Sequence, residues 1–387
     1  MFSQQKETCM LDTPEARTIF RSCQRFLAYD YPKTPQHVLR ELAEAVDPNL
    51  EADRYGQGEL ITRFEREVAD LLGKEAAVFM PSGTMCQQIA LRIWSQREGT
   101  TNVAFHPYCH LETHEEHAYQ RLHGLHGVLV GSAERLLTLD DLSTIAEPLA
   151  ALLIELPQRD LGGQLPTWEA LNEIIAWARE HGIPTHLDGA RLWECQPFYQ
   201  RGYAEIAGLF DTVYVSFYKV LGAIAGSLLA GPADVIAQAR IWQRRHGGNL
   251  IHLYPYVLSA RKGLHERLGQ MEPYHAKARE IAALLSPYPE ITIRPNPPHT
   301  NMFHLFLRGT QASVEAAALE IARERGIWLF SWSAPTVVPD VVRLEWTVGE
   351  ATLDVSSQEI VEIFQQLLER TRSSPGCVYP ESGRPCP

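Results

Sequence analysis

At 387 residues with 45% apolar side chains, the chain is long enough for one large core and a second, smaller one. A net charge of −12, a pI near 5.7 and the lack of a dense basic stripe argue against nonspecific binding to nucleic acid or to an anionic membrane. No run approaches the roughly 18 apolar residues of a membrane span, and the first residues lack a signal-peptide pattern, so a cytoplasmic enzyme acting on a small molecule is expected.

From about residue 75 to 231 short apolar runs alternate with helical patterns, as in a parallel sheet covered by helices. Seven candidate strands follow one another: E-A-A-V-F-M from 75, N-V-A-F from 102, G-V-L-V from 127, A-L-L-I-E-L from 151, I-P-T-H-L from 183, T-V-Y-V-S from 212 and S-L-L-A-G from 227. The clearest crossover helix follows Pro166 and Thr167, where Trp168, Leu171, Ile174, Ile175 and Ala178 recur at helical spacing before Gly182 stops it. A long helical stretch near 254–285 then leads to a smaller α+β block. Its predicted strands are N-M-F-H-L-F-L, I-W-L-F and V-V-R-L-E-W, with helices near 311–325 and 355–371.

The expected division is an N-terminal segment over 1–45, a large α/β domain over 46–265, a small α+β domain over 266–372 and a flexible tail over 373–387. The tail is rich in proline and poor in apolar side chains. Seven cysteines at 9, 23, 86, 109, 195, 377 and 386 are odd in number and lack C-x-x-C spacing, which fits reduced thiols better than a disulfide or zinc framework.

Lys219 in S-F-Y-K-V-L-G follows an apolar strand and precedes a small-residue turn, an odd setting for a solvated amine. Desolvation there would free the amine to condense with a carbonyl. Asp188 in H-L-D-G-A-R ends another strand, where a carboxylate needs a cationic partner or serves as a helix N-cap. Arg191, three residues on, offers a planar fork for a carboxylate or a phenolate oxygen. Both groups fall at the carboxyl ends of strands, where open α/β sheets bind ligands. Pro81 to Met85, P-S-G-T-M, places Ser82, Gly83 and Thr84 at a helix start, a cradle for an anion. The histidines His110, His114 and His117 are spaced to share one face of a helix; a metal site is weighed and set aside, because no further ligand completes a set.

Taken in this order, the motifs resemble the threonine aldolase or β-eliminating lyase family of fold-type I pyridoxal phosphate (PLP) enzymes. The resemblance runs from R-Y-G-Q-G-E-L-I-T-R-F-E through G-K-E-A-A-V-F-M-P-S-G-T-M, H-L-E-T-H-E, L-P-Q-R-D-L-G-G-Q-L-P, L-D-G-A-R-L-W, S-F-Y-K-V-L-G and R-R-H-G-G-N to V-V-R-L-E-W, about residues 55–350. It implies PLP as cofactor, Lys219 as its Schiff-base lysine, Asp188 as the partner of the pyridine nitrogen, and Ser82, Gly83 and Thr84 as the phosphate loop. It also implies that His110 stacks on the cofactor ring and that Arg191 and Arg343 hold an amino-acid carboxylate. Tyr55 would lie near the active site across a subunit boundary, in a homodimer or homotetramer.

Four positions depart from the family pattern. Gln158, in E-L-P-Q-R-D, stands where the family's E-N-T-H-N has a histidine tied to β-hydroxyl proton transfer, and a glutamine cannot act as a base. Tyr218 replaces the serine before the lysine, G-G-N-L-I-H replaces G-G-G-M-R-Q, and S-C-Q-R-F-L-A-Y-D-Y-P-K-T-P replaces R-S-D-T-V-T. The expected reaction is cleavage of a β-hydroxy-α-amino acid to glycine and an aldehyde, with the base at His110, His114, His252 or a bound water. β-Elimination to pyruvate and ammonia, another reaction at the same carbanion, or PLP binding without turnover are the alternatives.

Overall fold

The computed structural model describes residues 8–373, so the tail expected to be flexible lies, apart from Ser373, outside the described residues. The chain forms two compact units, one of residues 33–272 and one in which 8–32 join 273–373.

The larger unit is built on seven strands: β1 Ala76–Met80, β2 Asn102–Phe105, β3 His126–Leu129, β4 Ala151–Glu155, β5 Thr185–Gly189, β6 Thr212–Ser216 and β7 Ser227–Gly231. They lie in the order β1-β7-β6-β5-β4-β2-β3, and β7 alone runs antiparallel to its neighbours. Every strand overlaps one of the apolar runs, although β5 starts two residues into I-P-T-H-L and runs on to Gly189, and β3 is shifted one residue toward the N-terminus. The reason is burial on both faces: β5, β6 and β7 are buried along their whole length, so they favour unbroken apolar and β-branched sequence over alternation.

Helix α1, Gly83–Glu98, follows β1 and packs Cys86, Ile89, Ala90, Ile93 and Trp94 into the main core with Val103, Phe105, Leu153 and Leu229. Each of the larger aliphatic side chains, such as Ile89 and Ile93, contributes about 1.5–3 kcal/mol by leaving water. Trp94 also donates its indole N–H to Thr212 Oγ1 at 3.0 Å, which satisfies a buried donor and fixes α1 against β6. The crossover helix Trp168–Glu180 begins where expected. Thr167 caps it by accepting from the Ala170 amide at 3.2 Å, its apolar stripe is buried, and Gly182 adopts φ +65° just beyond its end.

In the second unit a five-stranded antiparallel sheet runs in the order Thr8–Cys9, Trp332–Pro335, Val341–Thr347, Met302–Arg308, Ile291–Arg294. Phe303 stacks on Trp346 in its core and Phe364 packs at a tilt against Trp346, with helices Gln311–Arg325 and Ser357–Ser373 supplying Ile321, Ile363 and Leu367. Ile327–Trp328 stands apart from this sheet and pairs in parallel with Arg25–Phe26, so the N-terminal stretch is woven into this unit. The helical stretch near 254–285 is two helices, Tyr254–Arg267 and Met271–Leu285, joined by the 3-10 turn Leu268–Gln270. No helix among the described residues is long and apolar enough to cross a membrane.

Candidate active site

Three neighbouring strands of the larger unit, β4, β5 and β6, carry their chemistry at one edge. Glu155 is the last residue of β4, Asp188 the penultimate residue of β5, and Lys219 follows the end of β6 by three residues. Two hydrogen bonds hold the loops beyond β5 and β6 in place. Ser216 Oγ donates to the Ala190 carbonyl at 2.7 Å, and Trp193 Nε1 donates to the Ser216 carbonyl at 2.8 Å. His110, Glu155, Arg159, Asp188, Arg191 and Lys219 line the resulting pocket, with Leu156, Pro157 and Ala190 as its apolar wall.

The Lys219 amine is enclosed there, and its pKa is drawn down to about 8, first by desolvation and then by the Arg191 guanidinium. Asp188, Glu155 and Glu194 oppose that shift without cancelling it. The Asp188 carboxylate is almost wholly buried, and it accepts from Gln87 Nε2 at 2.8 Å and from the Ala190 amide at 3.1 Å. Arg191 pairs with the buried Glu194 at 3.2 Å.

The N-terminus of α1 approaches the same edge. Ser82 caps it without a side-chain hydrogen bond, so the first-turn N–H groups and the Ser82 hydroxyl are donors that could hold an anion. Gly83 is required at this point, because a Cβ there would fall 1.8 Å from Tyr214 Oη. Tyr214 Oη in turn lies 3.3 Å from Tyr218 Oη, so the residue that replaces the expected serine still brings a hydroxyl to this end of the helix. One turn further along, Gln87 reaches both Asp188 and Glu115.

The three-histidine helical face does not form. Helix α2, His110–Thr113, is a single turn closed by His114, and His117 adopts left-handed backbone at φ +54°. Each ring faces a different carboxylate: His110 Nδ1 meets Glu115 at 3.1 Å, His114 Nε2 meets Asp160 at 3.1 Å and His117 Nδ1 meets Glu112 at 3.5 Å. Among the described residues no three His, Cys, Asp or Glu side chains gather as a metal site. His110 nonetheless stands at the pocket, its backbone N–H donating to Glu155 Oε2 at 3.0 Å.

Other expected site residues lie elsewhere. Tyr55, at φ +51° and largely exposed, lines a separate cleft with Gln57, Arg240, Arg244 and Asn249. His252 is held by the Asp53 carbonyl through Nδ1 at 2.6 Å. Gln158 is buried, and its amide donates to the Tyr108 carbonyl at 2.7 Å and to Glu155 Oε2 at 3.1 Å; it lines a cavity beside the Lys219 pocket with His106 and Cys109. Arg343 sits in the sheet of the second unit, between Phe306 and Ala334 on its flanking strands.

Sequence reasoning passed over Glu155, Glu115 and Gln87. Glu155 had a visible signal, as a carboxylate at the carboxyl end of an otherwise apolar strand, the same cue that marks Asp188. Its pKa is pushed up to about 8, by burial first and then by the Asp188 charge.

Comparison with known proteins identifies the family of the chain. Residues 37–308 match the family described as Beta-eliminating lyase. A crystal structure of a Listeria monocytogenes protein assigned to the L-allo-threonine aldolases is 42% identical, superposes with a TM-score of 0.88, and covers 93% of this chain and 99% of that one. A second, from Exiguobacterium sp. 255-15 and assigned as an aromatic amino acid β-eliminating lyase/threonine aldolase, is 41% identical with a TM-score of 0.87, over 92% of this chain and 99% of that one. The low-specificity L-threonine aldolase 1 of Arabidopsis thaliana is 26% identical over 314 residues, 78% of this chain and 87% of its own length.

Proposed function

We propose that this chain, which belongs to the threonine aldolase and β-eliminating lyase family of fold-type I PLP enzymes, is a carbon–carbon lyase that splits a β-hydroxy-α-amino acid into glycine and an aldehyde. The observation that carries this reading is the meeting of Lys219, Asp188 and Arg191 in one pocket, with the free N-terminus of α1 tied to it through Gln87.

That donor set suits PLP. The uncapped turn at Ser82, Gly83 and Thr84 suits its phosphate, buried Asp188 its pyridinium nitrogen, and the desolvated Lys219 amine its aldehyde. Once bound, the cofactor supplies an electron sink for the bond broken at Cα. Asp188, held in orientation by Gln87 and the Ala190 amide, keeps a proton on the ring nitrogen. Arg191, itself positioned by Glu194, orients the substrate carboxylate or the ring oxygen. His110, anchored through Glu115, provides a flat ring for stacking. Tyr55 is proposed to serve a neighbouring subunit's site.

Purified protein should carry a visible absorbance band that borohydride bleaches and that Lys219→Ala lacks. It should release glycine and aldehyde from threonine or phenylserine. A colourless preparation that PLP does not restore would end the cofactor assignment. Gln158 favours one second reading: its amide cannot accept a proton, and a product profile of pyruvate alone from serine would replace aldol cleavage by β-elimination.

A further inference from the structure

Cleavage of a β-hydroxy amino acid requires a group that takes the β-hydroxyl proton, and the pocket narrows the choice. Lys219 and Asp188 are engaged by the proposed cofactor, and Arg159 and Arg191 stay protonated at neutral pH. The His110 ring is drawn to Glu115 through Nδ1 and lies against His114, with ring centroids 5.0 Å apart. Gln158 is locked by its bonds to Tyr108 and Glu155.

Glu155 remains. Its Oε2 accepts from the His110 amide at 3.0 Å and from Gln158 Nε2 at 3.1 Å, whereas Oε1 accepts from the Arg159 amide alone, at 3.0 Å. A carboxylate offers about four lone-pair sites, and among the described residues three donors meet Glu155, which leaves one site on Oε1. The parallel register sets Glu155 directly opposite Asp188, which places the two carboxyls on the same face of the sheet at the pocket floor.

We propose that Glu155 accepts the proton of the substrate's β-hydroxyl, with Gln158 and the His110 and Arg159 amides acting as its positioning groups; the assignment rests on the lyase reading above. The β-O–H bond breaks and its electron pair becomes the second C–O bond of the departing aldehyde. The Cα–Cβ bond breaks and its pair stays on the Cα side, delocalised into the electron sink. Glu155 returns the same proton to Cα, which completes glycine, so no proton is gained or lost over the cycle.

The groups facing Glu155 are Asp188 on β5, Asp160 beyond the β4 turn, Lys219, Arg159, Arg191, His110 and the Cys109 thiol. Burial and the two aspartates outweigh the hydrogen bonds from the Arg159 and His110 amides, and the acid titrates at about 8. The base form therefore grows as pH rises through that value.

The test uses holoenzyme of wild type, Glu155→Gln and Glu155→Asp. Glu155→Gln is expected to load cofactor with an unchanged visible band and to lose kcat for phenylserine cleavage by about 10²–10⁴-fold. It should also lose the rise of kcat through pH 8 and a protonated-carboxyl infrared band that titrates there. Glu155→Asp should recover part of kcat and keep a displaced pH rise. The proposal is overturned if Glu155→Gln cleaves with the wild-type pH profile, or if the infrared band persists in it. Should Glu155→Gln not fold, an unshifted profile in Glu155→Asp overturns it equally. Wild-type holoenzyme that loads cofactor but cleaves no β-hydroxy amino acid would remove the lyase reading and this assignment together, whereas the outcomes above remove this assignment alone.

Discussion

Gln87, one turn into α1, donates to the buried carboxylate of Asp188 at 2.8 Å across 101 residues of sequence. It joins the helix whose first turn is the proposed anion site to the acid one residue before the end of β5. Gln87→Leu should leave Asp188 without that donor at a cost of about 1.5–3 kcal/mol, so kcat/KM should fall about 10- to 100-fold. Asp188→Asn should fall further and weaken cofactor retention, and dialysis followed by the visible spectrum separates the two effects.

The Lys219 amine should become reactive in a pH range far below that of an ordinary lysine. Its pKa near 8 means that the neutral fraction, and with it the rate of PLP capture by apoenzyme, rises as pH passes 8. Arg191 is the second cause of that shift, so Arg191→Gln should move the midpoint upward. A midpoint unchanged in the variant would show that burial alone sets it.

Gly83→Ala tests the close approach at the head of α1. The new methyl would press on Tyr214 Oη, an overpacking cost of about 1–3 kcal/mol, and the cofactor's apparent Kd should rise. Adding Tyr214→Phe should relieve part of the strain, which thermal unfolding of the single and double variants would measure.

His186 gives the larger unit an acid sensitivity. It is fully buried beneath Asp188 on β5, shares a hydrogen bond with Thr212 Oγ1 at 2.9 Å, and desolvation lowers its pKa to about 4. The unfolded chain protonates near 6.5 while the folded one resists, so stability present above pH 6.5 is lost as pH falls toward 4. The loss from this group is on the order of 3 kcal/mol. His186→Gln should flatten the fall of Tm between those values, whatever it does to Tm at pH 8.

The central strands of the large sheet were legible because burial on both faces leaves an apolar signature in each run, whereas the half-exposed edge strand His126–Leu129 showed only as the short run G-V-L-V. Asp188 and Lys219 were legible as charged residues at the ends of such runs. What stayed hidden depends on distant contacts or on backbone that local spacing does not reveal. Gln87 and Glu115 look like ordinary helix and turn polarity until the fold brings Asp188 and His110 beside them. The expected histidine face failed because the helix stops after one turn and the chain passes through left-handed backbone at Glu116 and His117. In the second unit, two-residue Thr8–Cys9 is too short to carry a period, whereas I-T-I-R at Ile291–Arg294 alternates buried and exposed side chains and was open to recognition.

Helix α1 also acts as a ruler. Gly83 at its head and Gln87, which fixes Asp188, are four residues apart, a rise of about 6 Å along a rigid axis. Because both positions ride on one helix, a shift or fraying of its first turns would disturb the anion-facing end and the hydrogen bond to Asp188 together.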